Sequence, residues 1–304
     1  MIRECVREGF YLANKNIQLV VICVVVSVIH LISLVVFLGL PVIAAILYLG
    51  FDLAQAKDMF PFLATNPFDF ISQYLGLIAL MLISFLLYLS FSSLLFLYAL
   101  SGTLGVLKWS AVNVQYSFSL SSFFKEAGIN FSRILWLISL VLLVMTVVCI
   151  GVIITGGLAA AHANTMMETG STVELFFSSF VFLSMVIFSI LVLLAGLVFG
   201  VYSLVVLVTE QEGVLDSIGR TFNFLRQTPG AFLYYLILIA GFIAVYAVFY
   251  GLQIFLSVVP FIWPLAYTLS VLFQSYLAMV LWSSLIVYYV KSTNYPVYTP
   301  AYEI

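Results

Sequence analysis

Charge is what this sequence has least of. Its 304 residues carry 10 basic and 12 acidic side chains, 7% charged in all, where a soluble domain carries roughly 25%. So few charges cannot cover the water-facing surface of a soluble protein this size. Histidine is rarer still, at two residues, and cysteine numbers three. Cys5, Cys23 and Cys149 are widely spaced, and the last two lie in apolar runs, which argues against a disulfide framework and a thiolate metal site. His-x-x-x-His and Cys-x-x-Cys pairs and a Walker A string are missing, so the sequence predicts no metal, no cofactor and no catalytic residue. A net charge of −2 argues against nucleic acid as a partner of the whole chain.

What is abundant is apolar: 65% of the residues, with a mean hydropathy of +1.26. Long runs cover about 17–50, 71–107, 134–161, 173–209, 229–258 and 261–290, free of charge except for Glu174 at the rim of the fourth. A bilayer crossing needs ~20 such residues. The sequence therefore predicts an all-α membrane protein with six transmembrane helices. Runs of more than thirty residues would measure ~45 Å, so these helices tilt, kink or extend beyond the hydrocarbon. Pro41 is the expected end or kink of the first, because it lacks an N–H and crowds the preceding turn. Glu4 and Glu8 interrupt the basic start and the first run is too long for a signal peptide, so no cleaved leader is expected.

Basic residues set the expected orientation. Arg3, Arg7 and Lys15 precede the first span, Lys108, Lys125 and Arg133 lie between the second and third, Arg220 and Arg226 between the fourth and fifth, and Lys291 follows the sixth. Lys57 stands alone on the other side. The positive-inside rule then places both termini in the cytoplasm, in a bacterial or archaeal cytoplasmic membrane. The outer connections are short: 51–70 along the interface, a polar turn at 162–172, and SVVPFIWP, which is barely a loop.

Each basic cluster has the form of an amphipathic segment leading into a membrane hairpin. Ile2, Cys5, Val6, Gly9 and Ala13 make the first apolar face, Leu120, Phe123, Phe124, Ala127 and Phe131 the second, and Val214, Leu215, Ile218, Phe222 and Leu225 the third. The strings CVREGFYLANKN, FFKEAGINFSRI and SIGRTFNFLRQT are alike. The chain therefore reads as one membrane domain of three repeats, 1–107, 108–209 and 210–291, followed by a Tyr- and Pro-rich tail, 292–304. An interfacial helix of this kind sets the angle of the next span or offers a docking surface. The side chains expected to meet a protein partner or lipid headgroups are Arg3, Arg7, Lys15, Lys125, Arg133, Arg220 and Arg226.

The strings QEGVLDSIGRTFNFLRQTPGAFLYYLIL and REGFYLANKNIQLVVICVV resemble the six-helix membrane domain fused to some bacterial glycerophosphodiester phosphodiesterases, and related stand-alone membrane proteins. The resemblance covers the general architecture of the chain and implies a non-catalytic membrane domain; the spans use up the length a phosphodiesterase domain would need. KEAGINFSRILW is also similar to the coupling-helix segment of ABC importer permeases, departing from it after Gly128.

The centres of the six spans hold no Asp, Glu, Lys or Arg, which lowers the expectation of proton- or ion-coupled transport. His30 is expected to hydrogen-bond a neighbouring helix, and His162 to be solvated in an outer loop. Gln253 and Gln274 each need a partner across the bundle. Gly196 and Gly200 form a GxxxG string suited to close helix packing. Ser90, Ser92, Ser93, Ser101, Gly102 and Thr103 read as interhelical contacts or as the lining of a path, with Ser90, Ser93, Ser101 and Thr103 as its candidates. Glu210, Glu212 and Asp216 favour the N-terminal dipole of the third segment. The functional expectation is a non-enzymatic membrane subunit or scaffold that meets membrane lipids or a protein partner through the elbows. A transporter or channel for a neutral or amphiphilic solute and a self-associating, membrane-organising protein are the alternatives.

Overall fold

The computed structural model describes residues 1–48, 65–113, 115–116, 118–169, 172–257 and 263–297. These residues are helical almost throughout, with no strand among them. In chain order the helices are α1 (Ile2–Lys15), α2 (Gln18–Leu34), a π-helical turn (Val35–Gly39), α3 (Leu40–Tyr48), α4 (Pro67–Val112), α5 (Leu120–Thr169), α6 (Thr172–Glu210), α7 (Val214–Gln227), α8 (Gly230–Ser257) and α9 (Trp263–Ser292). Six stretches are long and apolar enough to cross a bilayer: Gln18–Leu47, Tyr74–Val112, Leu120–Leu158, Ser179–Glu210, Gly230–Phe255 and Ala266–Ser292. The chain is an integral, multi-pass membrane protein.

Pro41 does not end the first span. Leu40 donates its N–H to Val35 O across five residues, and this widened turn lies directly ahead of the proline, whose ring would crowd a regular turn. The helix then continues to Tyr48. The expected turn at 162–172 is also shorter than predicted. The backbone of α5 stays helical through Thr169 and α6 starts at Thr172, because HANTMMET holds no Gly or Pro and the first breaker is Gly170. His162 therefore lies on helical backbone. Most of the 51–70 connection, including Lys57, and the centre of SVVPFIWP lie outside the described residues. Pro67 begins α4, where a missing N–H costs nothing.

Buried side chains gather at one end of the bundle: Cys5 to Val20, Leu97 to Val112, Phe123 to Leu137, Val198 to Val208, Phe224 to Tyr235 and Leu277 to Val290. This is the end that carries the N-terminus, Lys291 and the connections 113–119 and 211–213, and it is called here the basic end. Three spans, α4, α6 and α9, touch one another; α2 lies against α4 and α9, α5 against α4 and α6, and α8 against α9. Half of the apolar window of α9 is buried, against 6% in α5, so α9 is the best covered. Toward the other end large apolar side chains such as Leu143, Ile153, Phe180, Phe188 and Phe255 are exposed. Their partner is lipid.

Gly196 and Gly200 face α5. A Cβ at Gly196 would come within 2.5 Å of Met145 Sδ, and one at Gly200 within 3.3 Å of Val141 Cγ1. The obstacle at Gly196 is the end of a flexible thioether, which can move aside, while alanine gains about 1 kcal/mol of helix propensity over glycine. Gly196→Ala is therefore expected to change stability by less than about 1 kcal/mol, read as a melting temperature in detergent. A loss of several kcal/mol would show that Met145 is rigidly held.

Candidate functional site

At the basic end three segments each rest on a long span. The first is α1 on α9. Cys5, Gly9 and Ala13 recur every fourth residue, so α1 presents a strip of small side chains, and all three are buried. A Cβ on Gly9 would fall 2.0 Å from Ser284 Oγ and 2.9 Å from Ser284 Cα, so the two backbones nearly touch. Around this crossing the Glu8 carboxylate meets Lys291 Nζ at 2.6 Å, and Tyr276 OH donates to Asn14 Oδ1 at 2.8 Å. Asn16 ends α1 with its amide committed to Leu12 O at 2.8 Å and Ser110 Oγ at 2.9 Å. Burial pushes the Cys5 thiol above its ordinary pKa, with the nearby Lys291 ammonium opposing, so it stays protonated and unreactive. Three of the five residues of the apolar face read in the sequence, Cys5, Gly9 and Ala13, make the inward face. Leu12 joins it, while Ile2 and Phe10 are exposed.

The second segment is the first turns of α5, on α4. It is not a separate helix, because FSRILW contains no breaker where Asn16 and Pro229 interrupt the other two. Phe123 packs over Gly102, where a Cβ would meet its ring at 2.5 Å, and Glu126 over Gly105, where a Cβ would lie 2.5 Å from the Glu126 Cβ. Glu126 is 6% exposed and Lys108 4% exposed. The carboxylate accepts Trp109 Nε1–H at 2.9 Å and Asn130 Nδ2–H at 3.2 Å. Lys108 Nζ stands 4.7 Å from the centroid of the Trp109 ring, with Glu126 and Glu210 supplying the opposing charge.

The third segment is α7 on α6. Ser217, Thr221 and Phe224 are buried, with the Phe224 ring 5.4 Å from Tyr202 and 5.0 Å from Tyr289. Part of its predicted apolar face is turned away from the protein, with Leu215 and Phe222 exposed. Among the acids that precede α7, Glu210 and Glu212 hold the Arg220 guanidinium between them, Glu210 at 3.0 Å. Glu210 also accepts from Tyr289 OH at 2.8 Å. Gln211 takes a left-handed backbone, φ 56°, and Arg133 Nη1 donates to its carbonyl at 3.0 Å. The described part of the tail returns to this end, with Asn294 at φ 49° capping α9 and Tyr295 OH donating to Thr209 O at 3.2 Å.

These contacts divide the seven basic side chains. Arg133 and Arg220 hold the α6–α7 connection together, and Lys15 is half-buried. Arg3, Arg7, Lys125 and Arg226 are exposed and form no ion pair among the described residues. Sequence reasoning missed Lys108 and Glu126 as a buried charge centre. It also missed a signal that marks the three central spans: Thr103-Leu-Gly-Val-Leu107, Ser203-Leu-Val-Val-Leu207 and Ser284-Leu-Ile-Val-Tyr288, each a hydroxyl followed by Leu and, two residues on, Val.

Within the membrane-spanning part, a cavity of about 300 Å³ lies between α2, α4 and α9. Its wall includes His30, Thr103, Gln274 and Ser275. His30 Nδ1 lies 2.5 Å from Ser92 Oγ, the interhelical partner the sequence asked for. Gln274 Nε2 donates to Tyr246 OH at 3.2 Å and Ser270 Oγ at 3.1 Å, and Ser270 Oγ donates to Gln253 Oε1 at 2.8 Å. The four path candidates do not line one route. Ser90 and Ser93 are exposed, Ser101 is buried and donates to Leu97 O at 2.6 Å, and Thr103 alone lines the cavity. Among the described residues no group of three or more His, Cys, Asp or Glu could hold a metal ion. Comparison with known proteins finds no matching family model, no matching curated protein and no matching solved structure.

Proposed function

We propose that this protein is a non-enzymatic membrane scaffold that engages anionic lipid headgroups at the cytoplasmic surface through its three elbow segments. One observation carries the reading. Each segment pairs an exposed phenylalanine with an exposed, unpaired basic side chain: Phe10 with Arg7, Phe124 with Lys125, and Phe222 with Arg226. An aromatic ring at the acyl boundary and a cation in the headgroup layer are the two parts of an interfacial anchor. The segments also rest in cyclic order, α1 on α9, the start of α5 on α4, and α7 on α6, which supports three repeats of one elbow and one hairpin.

The test is lipid retention. Released from bilayers of mixed phosphatidylglycerol and phosphatidylcholine, the native protein is expected to carry phosphatidylglycerol preferentially in native mass spectrometry. A basic residue near a membrane surface contributes about 1 kcal/mol toward anionic lipid. Arg3 and Arg7 lie on one segment and Lys125 and Arg226 on the other two, so replacing all four by Gln should cut that preference about fivefold to thirtyfold at each segment. Absence of any preference in the native protein, or an unchanged one in the variant, would refute the reading. A protein retained at fixed stoichiometry by the native chain and lost by the variant would put a protein partner in place of the lipid.

A further inference from the structure

We infer that the cavity between α2, α4 and α9 binds a neutral amphiphile drawn from the bilayer: a molecule with one hydroxyl or carbonyl group on a long apolar body. The inference is independent of the elbows and rests on unused polar atoms. Serine hydroxyls inside these spans ordinarily return to the carbonyl four residues back, as Ser27 does at 2.9 Å and Ser101 and Ser189 do at 2.6 Å. Thr103 and Ser275 make no such bond and none to any other described residue, although Thr103 is only 5% exposed. Both line the cavity, opposite His30, whose Nδ1 is committed to Ser92 and whose other ring nitrogen is left over. A donor or acceptor left unmet in such surroundings costs about 1–3 kcal/mol, a cost that a ligand oxygen removes.

The remaining wall decides the class of ligand. Val26, Phe96, Leu100 and Met279 are apolar, and the wall holds no charged residue. An ionised headgroup buried there would have no counter-charge, at a cost of several kcal/mol, so carboxylates, phosphates and ammonium groups are excluded. A volume of about 300 Å³ is at the small end of ligand sites. It takes the polar end and the first part of a chain, and the rest stays among the lipid tails.

Trp282 is part of the wall and serves as a reporter. The protein is reconstituted in phosphatidylcholine vesicles and titrated with bromine-tipped undecanol or with bromoundecane. The Trp282→Phe variant supplies the blank, and bromine quenches the indole on contact. The alcohol is expected to quench in a saturable way, and the alkane only in proportion to its concentration. Thr103→Val keeps the shape of the side chain and removes the hydroxyl, and should raise the half-saturation of the alcohol at least about fivefold. Ala278→Leu, which fills the cavity, should abolish saturation; if that variant fails to fold, Thr103→Val still decides. Equal, unsaturable quenching by both probes, or an unmoved half-saturation in Thr103→Val, would overturn the inference.

Discussion

Gly9→Leu is expected to leave little folded protein, and even Gly9→Ala should lower stability by about 3 kcal/mol. The Cβ that either substitution adds lies 2.9 Å from the backbone of Ser284, and backbone cannot turn aside as the thioether opposite Gly196 can. The helices must separate, which uncovers Cys5, Leu12 and Ala13 on one side and Ser283, Ser284 and Val287 on the other, all buried now. Separation also strains the Glu8–Lys291 pair and the Asn14–Tyr276 hydrogen bond. The measurement is the melting temperature and the monodisperse fraction of each variant in mild detergent. Survival of Gly9→Leu with a native melting temperature would mean that α1 is not seated on α9.

Glu126→Leu is expected to cost about 3 kcal/mol, from a buried donor left without its acceptor and a buried cation left without a nearby opposing charge. The Trp109 indole N–H loses its acceptor and the Lys108 ammonium a nearby opposing charge, while the Asn130 amide keeps the Glu126 carbonyl at 3.0 Å. The ammonium dominates, because Lys108 is 4% exposed and Glu210 is already shared between Arg220 and Tyr289. Lys108→Met in the same chain should recover most of the loss, since replacing both charges by apolar groups of similar size is often neutral. Glu126→Gln should fall between, retaining acceptors without charge. A chemical-denaturation or thermal series over the two single variants and the double variant gives the coupling directly. Additive losses would mean that Glu126 acts only through Trp109 and Asn130.

The spans were legible because composition alone reports them. A run such as 173–209 has no soluble explanation, and the helix found there, Thr172–Glu210, differs by one residue at each end. Partners for His30 and Gln274 could be foreseen in kind, since a polar side chain at membrane depth must be satisfied by protein, although Ser92, Tyr246 and Ser270 could not be named. The apolar face predicted for α1 includes Cys5, Gly9 and Ala13, which are buried, whereas the apolar stripe of α7 does not tell which of its residues face protein. In water the apolar stripe turns inward, whereas beside lipid an apolar side chain gains nothing by leaving it. Small and hydroxyl-bearing residues therefore make the protein contact, Cys5, Gly9 and Ala13 in one case and Ser217 and Thr221 in the other. The hydroxyl track failed on angle: at 100° per residue, Ser92 and Thr103 point away from Ser90 and Ser93. Lys108 was read as a loop charge because nothing in a linear sequence says that Glu126 and Asn130 fold back over it.

Packing gathered at one end gives the molecule the mechanics of a sheaf tied near its base. Beyond the tie, α5 and α6 are flanked by few protein neighbours, and Leu143, Ile153, Leu158, Phe180 and Phe188 are open to their surroundings. Acyl chains of that leaflet fill the gaps between the stalks, so the bilayer is a structural component there and not merely a solvent. A micelle, with its looser and more curved interior, replaces this filling poorly. Fraying on extraction would then begin at the untied ends and stop at the level of Phe123, Tyr202 and Ser284, where protein packs on protein.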